Sequence, residues 1–111
     1  MLTAHSGRRN RGEAELTAYQ DLRNDQWVLK AHGAFDAATT SLLEQALDQA
    51  CQAQASRIVI DCSAVTFADI AFLRALLGTD TDGTRVVLAA PSLAVCRLLD
   101  ATENSGRFGV A

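Results

Sequence analysis

Asp69 and Asp36 are the residues whose setting most suggests chemistry. Asp69 follows an apolar run, Arg57-Ile58-Val59-Ile60-Asp61-Cys62, and a short stretch, Ser63-Ala64-Val65-Thr66-Phe67, and it leads into Ile70-Ala71-Phe72-Leu73. That order reads as strand, loop and Asp-capped helix. Such a junction presents the first N–H groups of a helix at the edge of a sheet, where an anion or a partner protein can be met. Asp36 sits at a second strand-to-helix junction, after Gly33-Ala34-Phe35 and before Ala37-Ala38-Thr39-Thr40. There the aspartate caps the coming helix, alone or with the threonines. Ser63, Thr66, Thr39, Thr40 and Ser41 place hydroxyls near the two carboxylates. Their ordinary work is capping and turn formation, although each is chemically able to accept a phosphoryl group.

Other chemistry finds no support in the residue spacing. His5 and His32 have no cysteine or second histidine at ligand distance along the chain. Cys51, Cys62 and Cys96 are odd in number and lack CxxC spacing, so they read as reduced core-filling thiols and not as a disulfide framework or a zinc site. Asp80-Thr81-Asp82-Gly83 is a turn: its glycine stands at the wrong place for a calcium loop and no distal glutamate completes one. No nucleophile is paired with a base, and no glycine-rich phosphate loop occurs. The expectation is a protein that is not an enzyme and uses neither a metal nor a cofactor.

These positions must be held by an α/β scaffold. Glu15–Leu22 alternates weakly as an edge strand, Arg23-Asn24-Asp25 turns, and Trp27–His32 forms the next strand. Apolar residues at Leu43, Ala46, Leu47, Ala50 and Cys51 repeat at helical spacing, with Glu44, Gln45, Asp48 and Gln49 on the other face, and the helix ends near Gln54. The strand over Ile58–Cys62 lies between helical segments, which favours a parallel partner. A short helix after Asp69 stops at Gly78, a strand runs over Arg85–Ala90 to Pro91, and Ser92 caps a last helix reaching Leu99 to Thr102. Arg107–Val110 is at most a short final strand.

Composition bounds the possibilities. With 111 residues the chain fits one domain with a single core. Its 49% apolar and 21% charged residues are those of a folded globule, and a net charge of −3 supplies no general attraction to nucleic acid. No apolar run reaches the ~20 residues needed to span a bilayer, and Met1–Asn10 lacks the apolar segment of a secretory signal. A cytoplasmic protein with no membrane insertion is expected. Residues 1–14, with Arg8, Arg9 and Arg11, read as a flexible tail ahead of a domain over 15–111.

Val59-Ile60-Asp61, Val65-Thr66-Phe67, Asp69 and Leu73-Arg74-Ala75-Leu76-Leu77 together resemble the core motif of STAS domains, the sulfate transporter and anti-sigma factor antagonist family. Gly33-Ala34-Phe35-Asp36-Ala37-Ala38-Thr39, followed by Leu42, Leu43, Ala46 and Leu47, resembles the family's other signature. Arg85–Ala89 and Val95–Leu99 match its next strand and helix, so the resemblance covers roughly residues 15–108. It implies a single domain with a central mixed sheet of four to five strands and about three helices. It further implies a regulatory role: binding an anti-sigma factor with a kinase-like fold, so that a sigma factor is released.

In the antagonist branch of that family the residue directly after the Asp is a Ser or Thr that the partner kinase phosphorylates. A phosphoryl group adds about −1.5 to −2 charges at the docking surface and so alters binding. Here the acceptor position is Ile70, and Ala71 and Phe72 complete an apolar triplet. No phosphorylation is expected at Ile70, and the expected docking residues are Asp36, Thr39, Thr66, Asp69, Ile70 and Phe72. Neighbouring helical residues stand about 100° apart, so Ile70 and Phe72 either extend the patch or turn inward to the core, and at least one replaced residue stays near the surface. The alternative roles are an accessory subunit of a lipid-transporting ATPase complex, as some STAS domains are, a small-ligand-binding scaffold, or a homodimeric assembly without a switch.

Overall fold

The computed structural model describes residues 3–11, 14–81 and 83–110. Six strands and three helices follow in the order β1 (Thr3–Arg11), β2 (Ala14–Asp21), β3 (Gln26–Phe35), α1 (Ser41–Gln52), β4 (Arg57–Ala68), α2 (Ile70–Thr79), β5 (Arg85–Ala89), α3 (Leu93–Ala101) and β6 (Gly109–Val110). They form one sheet in which spatial order equals chain order. The pairs β1–β2 and β2–β3 are antiparallel, whereas β3–β4, β4–β5 and β5–β6 are parallel. Each parallel step needs a crossover, and α1, α2 and α3 provide them.

Side-chain alternation sets the layers. Leu16, Ala18, Trp27, Leu29, Ala31 and Phe35 are buried on one face of β2 and β3, while Thr17, Val28, Lys30 and His32 point away from it and are at least partly exposed. Leu42, Leu43, Ala46, Leu47 and Ala50 of α1 join the buried face, as do Phe72, Leu73 and Leu76 of α2 and Val95 of α3. The mixed sheet packed with three helices is the architecture expected from the sequence.

Three differences from the sequence expectation have local causes. Residues read as a tail form β1, paired with β2 from Thr3↔Asp21 to Arg11↔Ala14; its polar, arginine-rich composition hides the strand because edge strands carry such residues without loss of pairing. Met1, Leu2, Gly12 and Glu13 of that segment lie outside the described residues, as does Asp82 of the turn expected over 80–83. Secondly, β3 continues through Gly33, whose φ of 98° is a conformation that glycine adopts without a Cβ penalty. Thirdly, Ser63–Phe67 is no loop. It belongs to β4, whose register against β3 runs from Trp27↔Ile58 to Phe35↔Ala68 and slips between Lys30 and His32 and again between Gly33 and Ala34. Each slip inserts a residue into β4 and interrupts the two-residue period by which a strand is recognised.

Helix starts agree with cap chemistry in two cases of three. The Asp69 carboxylate accepts from the Ala71 N–H at 2.9 Å, and the Ser92 hydroxyl accepts from the Val95 N–H at 3.3 Å. At α1 the N-cap is Thr40, with no side-chain cap bond. The expected stop at Gly78 falls one residue early, since α2 runs to Thr79 and the Asp80 N–H closes on the Leu76 carbonyl.

The cysteines stand at three depths: Cys51 exposed, Cys96 half-buried and Cys62 buried on β4. Burial, reinforced by Asp61 and the Cys96 thiol, pushes the Cys62 thiol up to about 12, so no thiolate forms there near neutrality. A thiol-alkylating reagent therefore labels Cys51 first, Cys96 more slowly, and Cys62 only on unfolding. Mass mapping over a time course checks this order, and early labelling of Cys62 would contradict the packing.

Candidate functional site

The last paired residues of β3 and β4, Phe35 and Ala68, lie side by side, and the Asp69 N–H donates to the Phe35 carbonyl at 3.2 Å. Asp36 and Asp69, one residue beyond each, therefore stand next to one another at the carboxyl ends of two adjacent parallel strands. Loops at this end of a parallel sheet are where ligands and partners are commonly met. The two junctions identified in the sequence are thus one site.

Asp36 organises its own loop. Its carboxylate accepts from the N–H groups of Ala38 at 2.9 Å and Thr39 at 3.0 Å, while the Asp36 N–H donates to the Thr39 hydroxyl at 3.0 Å. That hydroxyl lies 2.9 Å from the Ala34 carbonyl and 3.1 Å from the Asp36 carboxylate. Burial pushes the Asp36 carboxyl upward, but the bonds from Thr39 and the Ala38 N–H outweigh it and leave the group below its ordinary 3.8. Asp36 caps this turn and not α1 itself, which corrects the expected helix cap.

Of the six residues expected to dock a partner, four reach the surface to some degree. Ile70 and Thr66 are exposed, and Asp36 and Asp69 are partly so. Phe72 is a correction: it is 1% exposed, with its ring 5.7 Å from that of Phe35 and tilted by 57°. Two residues along the helix turn it about 200° from Ile70, so one points outward and the other into the core. Thr39 is also buried, its hydroxyl tied within the loop. Thr40 is buried as well, which leaves Ser63 and Thr66 as the exposed hydroxyls of those singled out.

Two surface residues escaped the sequence reading as site members. Phe67 is 50% exposed and Leu93 64%. Val65 pairs with Gly33 and is buried; simple alternation would bury Phe67 too, but the slip between them pairs Phe67 with Ala34 and turns it outward. Leu93, by contrast, had a legible signal: it directly follows the Ser92 cap and lies about 200° around the helix from the buried Val95. Pairing of β4 with β5 ends at Asp61↔Ala89, and beyond that point α3 lies against β4. Thr66, Phe67 and Ala68 face Ala94, Arg97 and Leu98 across a groove of about 330 Å³. Among the described residues no group of three His, Cys, Asp or Glu side chains is placed to hold a metal ion, and no helix is long and apolar enough to cross a membrane.

The arrangement can present an apolar pair, Phe67 and Ile70, on either side of an aspartate whose carboxylate is engaged in capping. It offers a surface suited to contact with a partner.

Comparison with known proteins agrees with this fold. The family model described as Mlab, STAS domain, matches residues 19–104. Among solved structures, an anti-sigma factor antagonist from Mycobacterium paratuberculosis is similar at 26% identity with a TM-score of 0.72, over 86% of this chain and 84% of that one. The anti-sigma factor antagonist SpoIIAA in its unphosphorylated form shares the fold at 14% identity, with a TM-score of 0.65 over 96% of this chain and 88% of that one. No curated protein sequence gives a significant match.

Phe72→Ala should cost about 3–5 kcal/mol of stability, the range for deleting a buried aromatic, and Phe67→Ala less than about 1 kcal/mol. Urea unfolding of the two variants measures the contrast; similar losses would mean that Phe67 is not a surface residue. A second expectation concerns pH. The Asp36 carboxyl is lowered in the folded state, so its stabilisation is present above the ordinary value of 3.8 and is lost as pH falls through the folded value. Asp36→Ala should melt below the wild-type chain at neutral pH, and the gap should narrow in acid. Thermal melts from pH 7 to pH 3 test this, a gap independent of pH being the contrary result.

Proposed function

The chain belongs to the STAS-domain family, and on that premise we propose that it acts as an anti-sigma factor antagonist that docks without the phosphorylation switch at the position after Asp69. The observation that carries this reading is Ile70: it occupies the first turn of α2, is 45% exposed, and has no atom able to accept a phosphoryl group. Asp69 keeps its cap on α2, so the platform retains its shape while the regulatory chemistry is absent. The 26%-identical relative described as an anti-sigma factor antagonist supports the assignment of the partner class.

The partner on this reading is an anti-sigma factor with a kinase-like fold, met in the cytoplasm, and the chain sequesters it so that a sigma factor is freed. Asp36, Thr66, Asp69 and Ile70 form the contact, with Phe67 added; Phe72 and Thr39 support it from beneath. Apolar side chains at the centre of a patch are common binding anchors, and Phe67 and Ile70 have the exposure for that role. The role is binding and not catalysis.

Binding of the purified anti-sigma factor from the same genome tests the proposal. Ile70→Glu buries a charge in the contact and should weaken affinity at least about 30-fold, equivalent to about 2 kcal/mol. In a kinase assay with ATP, label should be absent from residue 70, and any label should map to Ser63 or Thr66. Unchanged affinity of Ile70→Glu would sink the reading. So would co-purification with a lipid-transporting ATPase in place of an anti-sigma factor.

A further inference from the structure

Resting on the antagonist reading, we propose that Thr66 is a phosphorylation site that resets docking in place of position 70, with Arg97 as the residue that receives the phosphate. The Thr66 side chain is exposed, and its hydroxyl takes part in no hydrogen bond among the described residues. Its main chain is open as well. Val65 pairs with Gly33 and Phe67 with Ala34, so Thr66 is the residue inserted at the second slip of β4, and pairing with β5 has already ended at Asp61↔Ala89. With no residue opposite it in either ladder, Thr66 can be seated by a kinase without loss of strand pairing. Ser63, the other exposed hydroxyl near the site, differs. Its hydroxyl donates to the Asp61 carboxylate at 2.8 Å and its N–H to the same oxygen at 3.0 Å, and that carboxylate repels an incoming phosphate.

Thr66 lines the groove of about 330 Å³ from β4, and Arg97 lines it from α3. Arg97 is exposed and forms no ion pair among the described residues. The carboxylates nearest to it are turned to other work. Asp100, one helical turn along α3, accepts from the Ser105 hydroxyl, and Asp69 accepts from the Ala71 N–H; Glu103 lies beyond the end of α3. The step itself is phosphoryl transfer from ATP by a Ser/Thr kinase, here the anti-sigma factor: a P–O bond forms between the γ-phosphorus and Thr66 Oγ1, the bond to the β–γ bridging oxygen breaks, ADP leaves, and the hydroxyl proton passes to the kinase's base. A phosphate so placed meets the fork of guanidinium donors across the groove. It also sets about −1.5 to −2 charges beside Phe67, on a surface that docking must desolvate, so it weakens the contact.

Incubation of the full-length chain with the purified anti-sigma factor from the same genome, ATP and magnesium, followed by peptide mass mapping, locates the phosphate. Thr66 should carry it, Ser63 should not, and Thr66→Val should take up none. The phosphorylated chain should bind the anti-sigma factor at least about 10-fold more weakly than the unmodified one. Contact with Arg97 has a separate readout: phosphorylation should raise the melting temperature of the wild-type chain and should not raise that of Arg97→Gln. Binding without phosphate at Thr66, or phosphate at Thr66 with affinity unchanged, would overturn the inference and leave the antagonist reading standing. An equal melting shift in wild type and Arg97→Gln would overturn the assignment of Arg97. If the unmodified chain does not bind the anti-sigma factor at all, the antagonist reading falls and this inference with it.

Discussion

The parallel pairing of β3 with β4, carried to its last residues, is the constraint on which the rest depends. Because Phe35 is paired with Ala68, and the Asp69 N–H closes on the Phe35 carbonyl, the loop after β3 and the start of α2 share one position in space. Phe35 and Phe72 fill the volume beneath that junction. Aromatic pairs of this tilted kind combine area burial with favourable ring electrostatics, so α2 is anchored at its N-terminal end. A buried Phe72 also fixes the rotation of α2. With that rotation set, Ile70 has no direction but outward.

The two register slips in β4 do more than lengthen a strand. An unbroken alternation after Cys62 would expose Val65 and bury Thr66; the first slip reverses both, and the second restores the original phase from Phe67 onward. The inserted residues bury Val65 and expose Phe67 within a two-residue step. Bulges near functional edges commonly re-aim a side chain in this way. The outrun of β4 beyond its pairing with β5 then leaves a flank that α3 covers only in part, and the groove between them is the remainder. One irregular strand thus generates both the exposed phenylalanine and the cleft beside it.

The legible parts of the sequence were those with an undisturbed period or a capping residue. The amphipathic pattern of α1, the Asp69 and Ser92 caps, and the apolar run of Ile58–Cys62 each agree with a single local rule. The edge strand β1 was not legible, because a strand held by main-chain pairing at an edge needs no apolar face. Ser63–Phe67 escapes local rules for a different reason: a bulged strand has no constant period to detect. The choice between an outward and an inward Phe72 also lay beyond local rules, since both residues of the Ile70 and Phe72 pair are apolar and only the position of Phe35 on β3 distinguishes them.

Asp69 separates two duties that the motif could combine. Capping requires only a carboxylate oxygen aimed at the Ala71 N–H, and this depends on the backbone at position 69 and not on the side chains that follow. Ile70 therefore leaves the cap intact while making the exposed first-turn position of α2 apolar. On the proposed antagonist reading, modulation of the contact then passes to neighbouring charged groups. Asp36 is one such group, its charge held by its own loop. On the same proposed reading, the burial of Ile70 and Phe67 against a partner is driven by apolar area, which screening by salt leaves almost untouched.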